Sequence, residues 1–113
     1  VNINKLVKKV IKKYKQNGKL TEKEKKKFIK KINNDDWFYI SGSQELSEGF
    51  IREFQDKVDW LIIFKYQKLS EDFIDEFKNK VKWISIFSCQ KLSKNFIMEF
   101  EKKVDWKGEL HTK

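Results

Sequence analysis

Residues 60–82 read WLIIFKYQKLSEDFIDEFKNKVK. Near-copies flank them: WFYISGSQELSEGFIREFQDKVD at 37–59 and WISIFSCQKLSKNFIMEFEKKVD at 83–105. The three units align without a gap, and Trp37, Trp60, Trp83 and Trp106 recur every 23 residues. Eleven positions are identical in all three: Trp; then Ile (40, 63, 86), Gln (44, 67, 90), Leu (46, 69, 92) and Ser (47, 70, 93); then Phe (50, 73, 96), Ile (51, 74, 97), Glu (53, 76, 99), Phe (54, 77, 100), Lys (57, 80, 103) and Val (58, 81, 104). Fixed-period self-similarity of this kind is the signature of a stacked repeat.

Each unit reads as two helices. Ser47, Ser70 and Ser93 are placed as N-caps, whose hydroxyls satisfy an orphan N–H of the first turn. Leu46 with Ile51, Leu69 with Ile74 and Leu92 with Ile97 have staple spacing around those caps. Phe50, Ile51, Phe54 and Val58 fall on one helical stripe, as do their counterparts. Glu53–Lys57, Glu76–Lys80 and Glu99–Lys103 are expected as i,i+4 ion pairs marking the solvated face. The other helix is short: Trp60, Ile63, Phe64 and Gln67, and Trp83, Ile86, Phe87 and Gln90, follow i, i+3, i+4, i+7. Asp59 and Asp105 stand at its N-cap. A rival reading makes Leu61–Phe64 a strand of a leucine-rich-repeat-like unit; the helical spacing and the missing Asn turn ladder favour helices.

The pattern Trp-x-x-Ile-x-x-x-Gln-x-Leu-Ser-x-x-Phe-Ile-x-Glu-Phe-x-x-Lys-Val-Asp-Trp, over residues 37–106, resembles a short helical repeat found in proteins of bacteriophages and large DNA viruses. The resemblance implies an origin in a mobile or viral genome and a binding role. It assigns no functional residues.

The lead-in is helical too. Ile3, Leu6, Val7, Val10, Ile11 and Tyr14 share one face, and Asn17-Gly18 ends the helix, with Gly18 expected in the left-handed conformation. Thr21 with Glu24 is a capping box opening a second helix to about Ile32. Leu20-Thr21, Phe28-Ile29 and Asp36-Trp37 look like a degraded unit. The architecture expected is all-α: a basic helical hairpin (1–36) leading into a helix-turn-helix solenoid of three 23-residue repeats (37–106), then a tail (107–113), in one continuous domain.

The 113-residue chain carries a net charge of +9, with 17 aromatic residues arguing for a packed core. Residues 1–36 hold 13 Lys against four acidic residues, whereas residues 37–113 are balanced at 13 and 13. The excess of lysine over arginine (25 to 1) and the absence of Pro and Ala fit an AT-rich coding sequence. Codon bias does not explain the segregation, which points to a polyanionic or acidic partner. A single cysteine, Cys89, fits a reducing compartment, so a cytoplasmic location is expected, that of the host cell if the origin is viral. Val1–Gly18 is too lysine-rich to read as a signal peptide, and no apolar run approaches a membrane span.

Catalytic chemistry is scarce. His111 stands in the tail, no Cys/His cluster has metal-ligand spacing, and the four glycines are isolated. No enzyme, metal or cofactor is expected. The repeating tryptophans and phenylalanines are read as core rather than as base-stacking platforms, and Gln44, Gln67 and Gln90 as an amide ladder tying neighbouring segments or, alternatively, as a row of ligand contacts.

Positions that differ between units are the better site candidates: Tyr39/Ile62/Ser85, Gly42/Lys65/Ser88, Ser43/Tyr66/Cys89 and Arg52/Asp75/Met98. Tyr39, Ile62, Lys65 and Tyr66 are expected to form a binding patch. Lys8, Lys9, Lys12 and Lys13, on the face opposite Leu6, Val7, Val10 and Ile11, with Lys26, Lys27, Lys30 and Lys31, are expected to form an electrostatic one. They suit nucleic-acid backbone, an acidic or nucleic-acid-binding host protein, or an anionic membrane, the last weakened by the lack of Trp and Phe on the apolar face; plain solvation also accounts for them. The resemblance favours a phage-type binding protein acting on host nucleic-acid machinery, its sharpest form an inhibitor of a defence nuclease such as an anti-CRISPR protein. Sequence-independent nucleic-acid binding is the alternative. The oligomeric state is not legible.

Overall fold

The computed structural model describes residues 3–43 and 45–103. The readings placed on Gln44, Val104, Asp105, Trp106, His111 and the tail lie outside them, as do the side chains of Ile3 and Lys103. Among the described residues the chain is all-helical, with no strand. The strand proposed at Leu61–Phe64 is instead the middle of a helix.

Helix α1 (Ile3–Lys15) buries Val7, Val10, Ile11 and Tyr14. It closes in a Schellman turn: the Gly18 N–H donates to the Lys13 carbonyl (2.9 Å) and the Asn17 N–H to that of Tyr14 (3.1 Å). The left-handed residue is Asn17 (φ 63°), not Gly18. A Cβ at Gly18 would be crowded, 3.1 Å from both Cγ and the carbonyl oxygen of Lys13. Helix α2 (Glu22–Lys31) opens on the expected Thr21–Glu24 capping box.

Three pairs of helices follow: α3 (Asn34–Ser43) with α4 (Glu48–Glu53), α5 (Trp60–Tyr66) with α6 (Glu71–Glu76), and α7 (Trp83–Cys89) with α8 (Lys94–Lys103). The Ser47, Ser70 and Ser93 hydroxyls each accept the N–H three residues on, at 3.1–3.2 Å, and Asp59 caps α5. Lys82, at the equivalent place before α7, makes no side-chain cap bond. A cap absent from the sequence reading opens α3: Asn33 and Asp36 bond reciprocally, side chain to backbone (2.9 and 3.0 Å).

Within each unit the Trp of the first helix meets phenylalanines of the second. Trp37 packs on Phe50 and Phe54, Trp60 on Phe73 and Phe77, and Trp83 on Phe100. These rings are core, as read. Between units, α3 lies beside α5 and α5 beside α7. The described residues extend over 47 × 29 × 22 Å with a radius of gyration of 15.7 Å, above the roughly 13 Å of a compact domain this long.

Two sets of polar bonds tie the units. Gln67 is buried, its Oε1 accepting the Leu46 N–H (3.0 Å) and its Nε2 donating to the Ser41 carbonyl (2.9 Å). One unit later, Gln90 Nε2 donates to the carbonyls of Phe64 (2.6 Å) and Gln67 (2.9 Å). At Gln67 and Gln90 the amide ladder is thus made of structural bonds. The second set was missed: Glu48 accepts from the backbone N–H and the hydroxyl of Ser70 (2.6 and 3.0 Å), and Glu71 accepts from the same groups of Ser93 (2.5 and 2.9 Å).

The expected i,i+4 pairs Glu53–Lys57 and Glu76–Lys80 are a correction, while Glu99–Lys103 falls on a side chain outside the described residues. Helices α4 and α6 stop at Glu53 and Glu76, where Phe54 and Phe77 leave helical geometry. That puts Lys57 and Lys80 beyond the last turn. Glu53 bonds Tyr14 and Lys25, Glu76 takes both ends of the Arg52 guanidinium, and Glu99 lies 3.9 Å from Lys102.

Candidate binding surface

The lysine-rich hairpin is fixed to the first unit at a polar knot, beside a more exposed Lys15–Glu45 pair (3.4 Å). Tyr14 packs edge-on against Phe50 and Phe54, and burial raises its phenol above the ordinary value. Its hydroxyl accepts the Leu20 N–H (3.2 Å) and donates to Glu53 Oε1 (3.1 Å). Lys25 Nζ sits 3.2 Å from the other Glu53 oxygen, a bond that raises the lysine pKa. The knot therefore holds both helices of the hairpin in place, so the remaining lysines form a surface of defined shape.

Lys8, Lys9, Lys12, Lys13, Lys26, Lys27, Lys30 and Lys31 are all exposed, but they do not form one patch. Lys9 and Lys13 with Lys27 and Lys31 rim a groove of about 250 Å³ between α1 and α2, together with Leu6, Val10, Leu20, Glu24 and Phe28. Lys9 and Lys13 thus flank Leu6 and Val10 instead of lying opposite them, because each stands three residues on, one turn along the same side of α1. Lys26 and Lys30, with Lys23 and Ile29, line a separate, shallower concavity that shares Lys27. Lys8 and Lys12 line neither of these two. At the loop end of the groove Glu24 lies 3.7 Å from Lys13. The Thr21 N–H it accepts, with Lys13 nearby, holds its carboxyl below the ordinary value.

The four patch residues of the repeats divide. Tyr39 (55%) and Tyr66 (59%) are open to solvent, and Lys65 is exposed with its Nζ 5.4 Å from the Tyr66 ring. Ile62 is half-buried because it covers Gly42, where a Cβ would lie 2.8 Å from Ile62 Cγ2. Arg52, also at a variable position, is spent on Glu76 and on the rings of Phe73 and Phe77. Asp75 pairs with Lys78.

Three residues missed in the sequence complete this face. Phe38, Leu61 and Ile84 follow the tryptophan in successive units, and each is more than half exposed. The signal was available: a large apolar residue recurs there, off the Trp-Ile-Gln stripe, but its changing identity hid it. Of these, Leu61 and Ile84 share one open concavity with Lys65, Ser85, Ser88 and Cys89.

No protein-family model, curated protein or solved structure matches the chain.

Little else offers chemistry. Cys89 is exposed. Among the described residues no group of three His, Cys, Asp or Glu side chains is placed to hold a metal ion, and no helix is long and apolar enough to cross a membrane.

Proposed function

We propose that the chain is a non-enzymatic binding protein of phage or viral type. It works as a three-unit helical solenoid with a basic hairpin at one end, and it engages an acidic or nucleic-acid-handling protein of the host cytoplasm. Inhibition of a defence nuclease is the sharpest form of this reading and rests on the repeat's resemblance. The observation that carries the binding role is the hairpin: it holds the whole net charge of the chain, and Tyr14, Glu53 and Lys25 anchor it to the repeats. Side-by-side packing of α3, α5 and α7 and the repeated Gln and Glu–Ser bonds support the solenoid.

A protein partner is favoured over a membrane because Val7, Val10, Ile11 and Tyr14 on the apolar face of α1 are buried in the core, with Leu6 only partly open. Sequence-independent nucleic-acid binding is the second reading, favoured by the run Lys23, Lys26, Lys27 and Lys30 on α2. Capture from host lysate with and without nuclease treatment separates them. A protein retained after nuclease treatment is the expected result; recovery that depends wholly on nucleic acid would favour the second reading.

A further inference from the structure

We propose that the groove between α1 and α2 is a docking site for an acidic amphipathic helix of the partner protein. This deepens the protein-binding reading and rests on it. The groove combines two chemistries in one place: the partly open Leu6 and Leu20 line it above the buried Val10 and Phe28, and Lys9, Lys13, Lys27 and Lys31 surround them. From Leu6 to Lys13 the helix advances about 10 Å, or two turns of a partner helix. A helix of that length with leucines on one stripe and carboxylates beside it meets both chemistries at once. Glu24 already neutralises Lys13 at the loop end, so Lys9, Lys27 and Lys31 carry the recognition of charge.

Nucleic acid would use only half of this site. Its phosphates would meet the lysines, but Leu6 and Leu20 give them nothing. Bases need an open aromatic face, and Phe28 is 3% exposed, edge-on to Trp37 and against Phe54.

The test uses the full chain and a fluorescent synthetic peptide that forms an amphipathic helix, with leucines on one stripe and glutamates flanking it. Anisotropy is expected to show binding that weakens about tenfold or more in the Lys9→Glu, Lys27→Glu, Lys31→Glu variant. A comparable loss is expected when the peptide leucines become serine, and when Leu6 and Leu20 of the protein become Gln. Lys8→Glu with Lys12→Glu, outside the groove, should keep most of the affinity. Circular dichroism checks that each variant is folded, and amide shift changes on binding should centre on Leu6, Lys9, Leu20 and Lys27. No binding by the folded wild type overturns the proposal, as does equal binding of the serine peptide or of single-stranded DNA through the same amides. If a purified lysate partner binds the triple reversal as well as the wild type, the groove is wrong while the protein-binding reading stands. If no protein partner is retained at all, that reading falls with it.

Discussion

Gln67 serves two backbone groups, the Leu46 N–H and the Ser41 carbonyl. Removing it strands both in the core, so Gln67→Ala is expected to cost about 1–3 kcal/mol, measured by urea denaturation. A loss of binding with stability unchanged would instead make it a ligand contact. The sequence showed that a polar residue recurs on an apolar stripe; it could not show which carbonyls lie opposite, because those belong to the preceding unit. Gly42 is a second case. Its Cβ would meet Ile62 Cγ2 at 2.8 Å, and a β-branched side chain cannot easily rotate away. Gly42→Ala is expected to destabilise, because overpacking of about 1–3 kcal/mol outweighs the ~1 kcal/mol helix gain. In an Ile62→Ala background the clash is gone, and the same substitution should stabilise. The same sign in both backgrounds would contradict close packing of α3 on α5 at this point.

Most helix starts were legible, as was the end of α1 at Asn17-Gly18, but the cap of α3 and the ends of α4 and α6 were not. A start is written in one or two local side chains, as at Thr21, Ser47, Asp59 and Ser70. The ends of α4 and α6 are set by Phe54 and Phe77 turning into the core, where Phe77 lies 4.7 Å from Trp60, centroid to centroid. That early stop redirects Glu53 and Glu76 from their own helices to Tyr14, Lys25 and Arg52. Phe77→Ala should therefore cost about 3–5 kcal/mol in the same denaturation assay; a change below about 1 kcal/mol would mean the ring is not core. The Arg52–Glu76 pair adds a pH dependence. Arg52 holds the Glu76 carboxyl below its ordinary value of 4.5, so the folded chain binds that proton less readily than the unfolded one. The contribution is complete above 4.5 and is lost as pH falls through the lowered value. Thermal melts of wild type and Glu76→Gln should differ at neutral pH and converge in acid. A gap that persists in acid would mean the carboxylate charge is not what matters.

At the scale of the whole chain, net charge sits at one end: residues 1–36 carry all of it, and residues 37–113 are balanced. The hairpin carries the lysine excess, and the repeats expose Phe38, Tyr39, Leu61, Tyr66 and Ile84. The lysine excess was a matter of counting, but the groove exists only because α2 folds back beside Leu6 and Val10, a tertiary event that no local pattern records. Charge alone should steer association over a screening length of about 10 Å at 0.1 M salt, whereas a built groove should add losses specific to its own residues. The most direct measurement is the affinity for a purified, lysate-captured protein partner at low and high salt, comparing wild type with the Lys9→Glu, Lys27→Glu, Lys31→Glu variant. Each reversal removes two charges, taking the net charge from +9 to +3. Wild-type affinity should fall steeply with salt, and the variant should bind weakly with a flattened salt response; equal affinity and equal salt dependence in the two proteins would contradict a binding role for the basic hairpin.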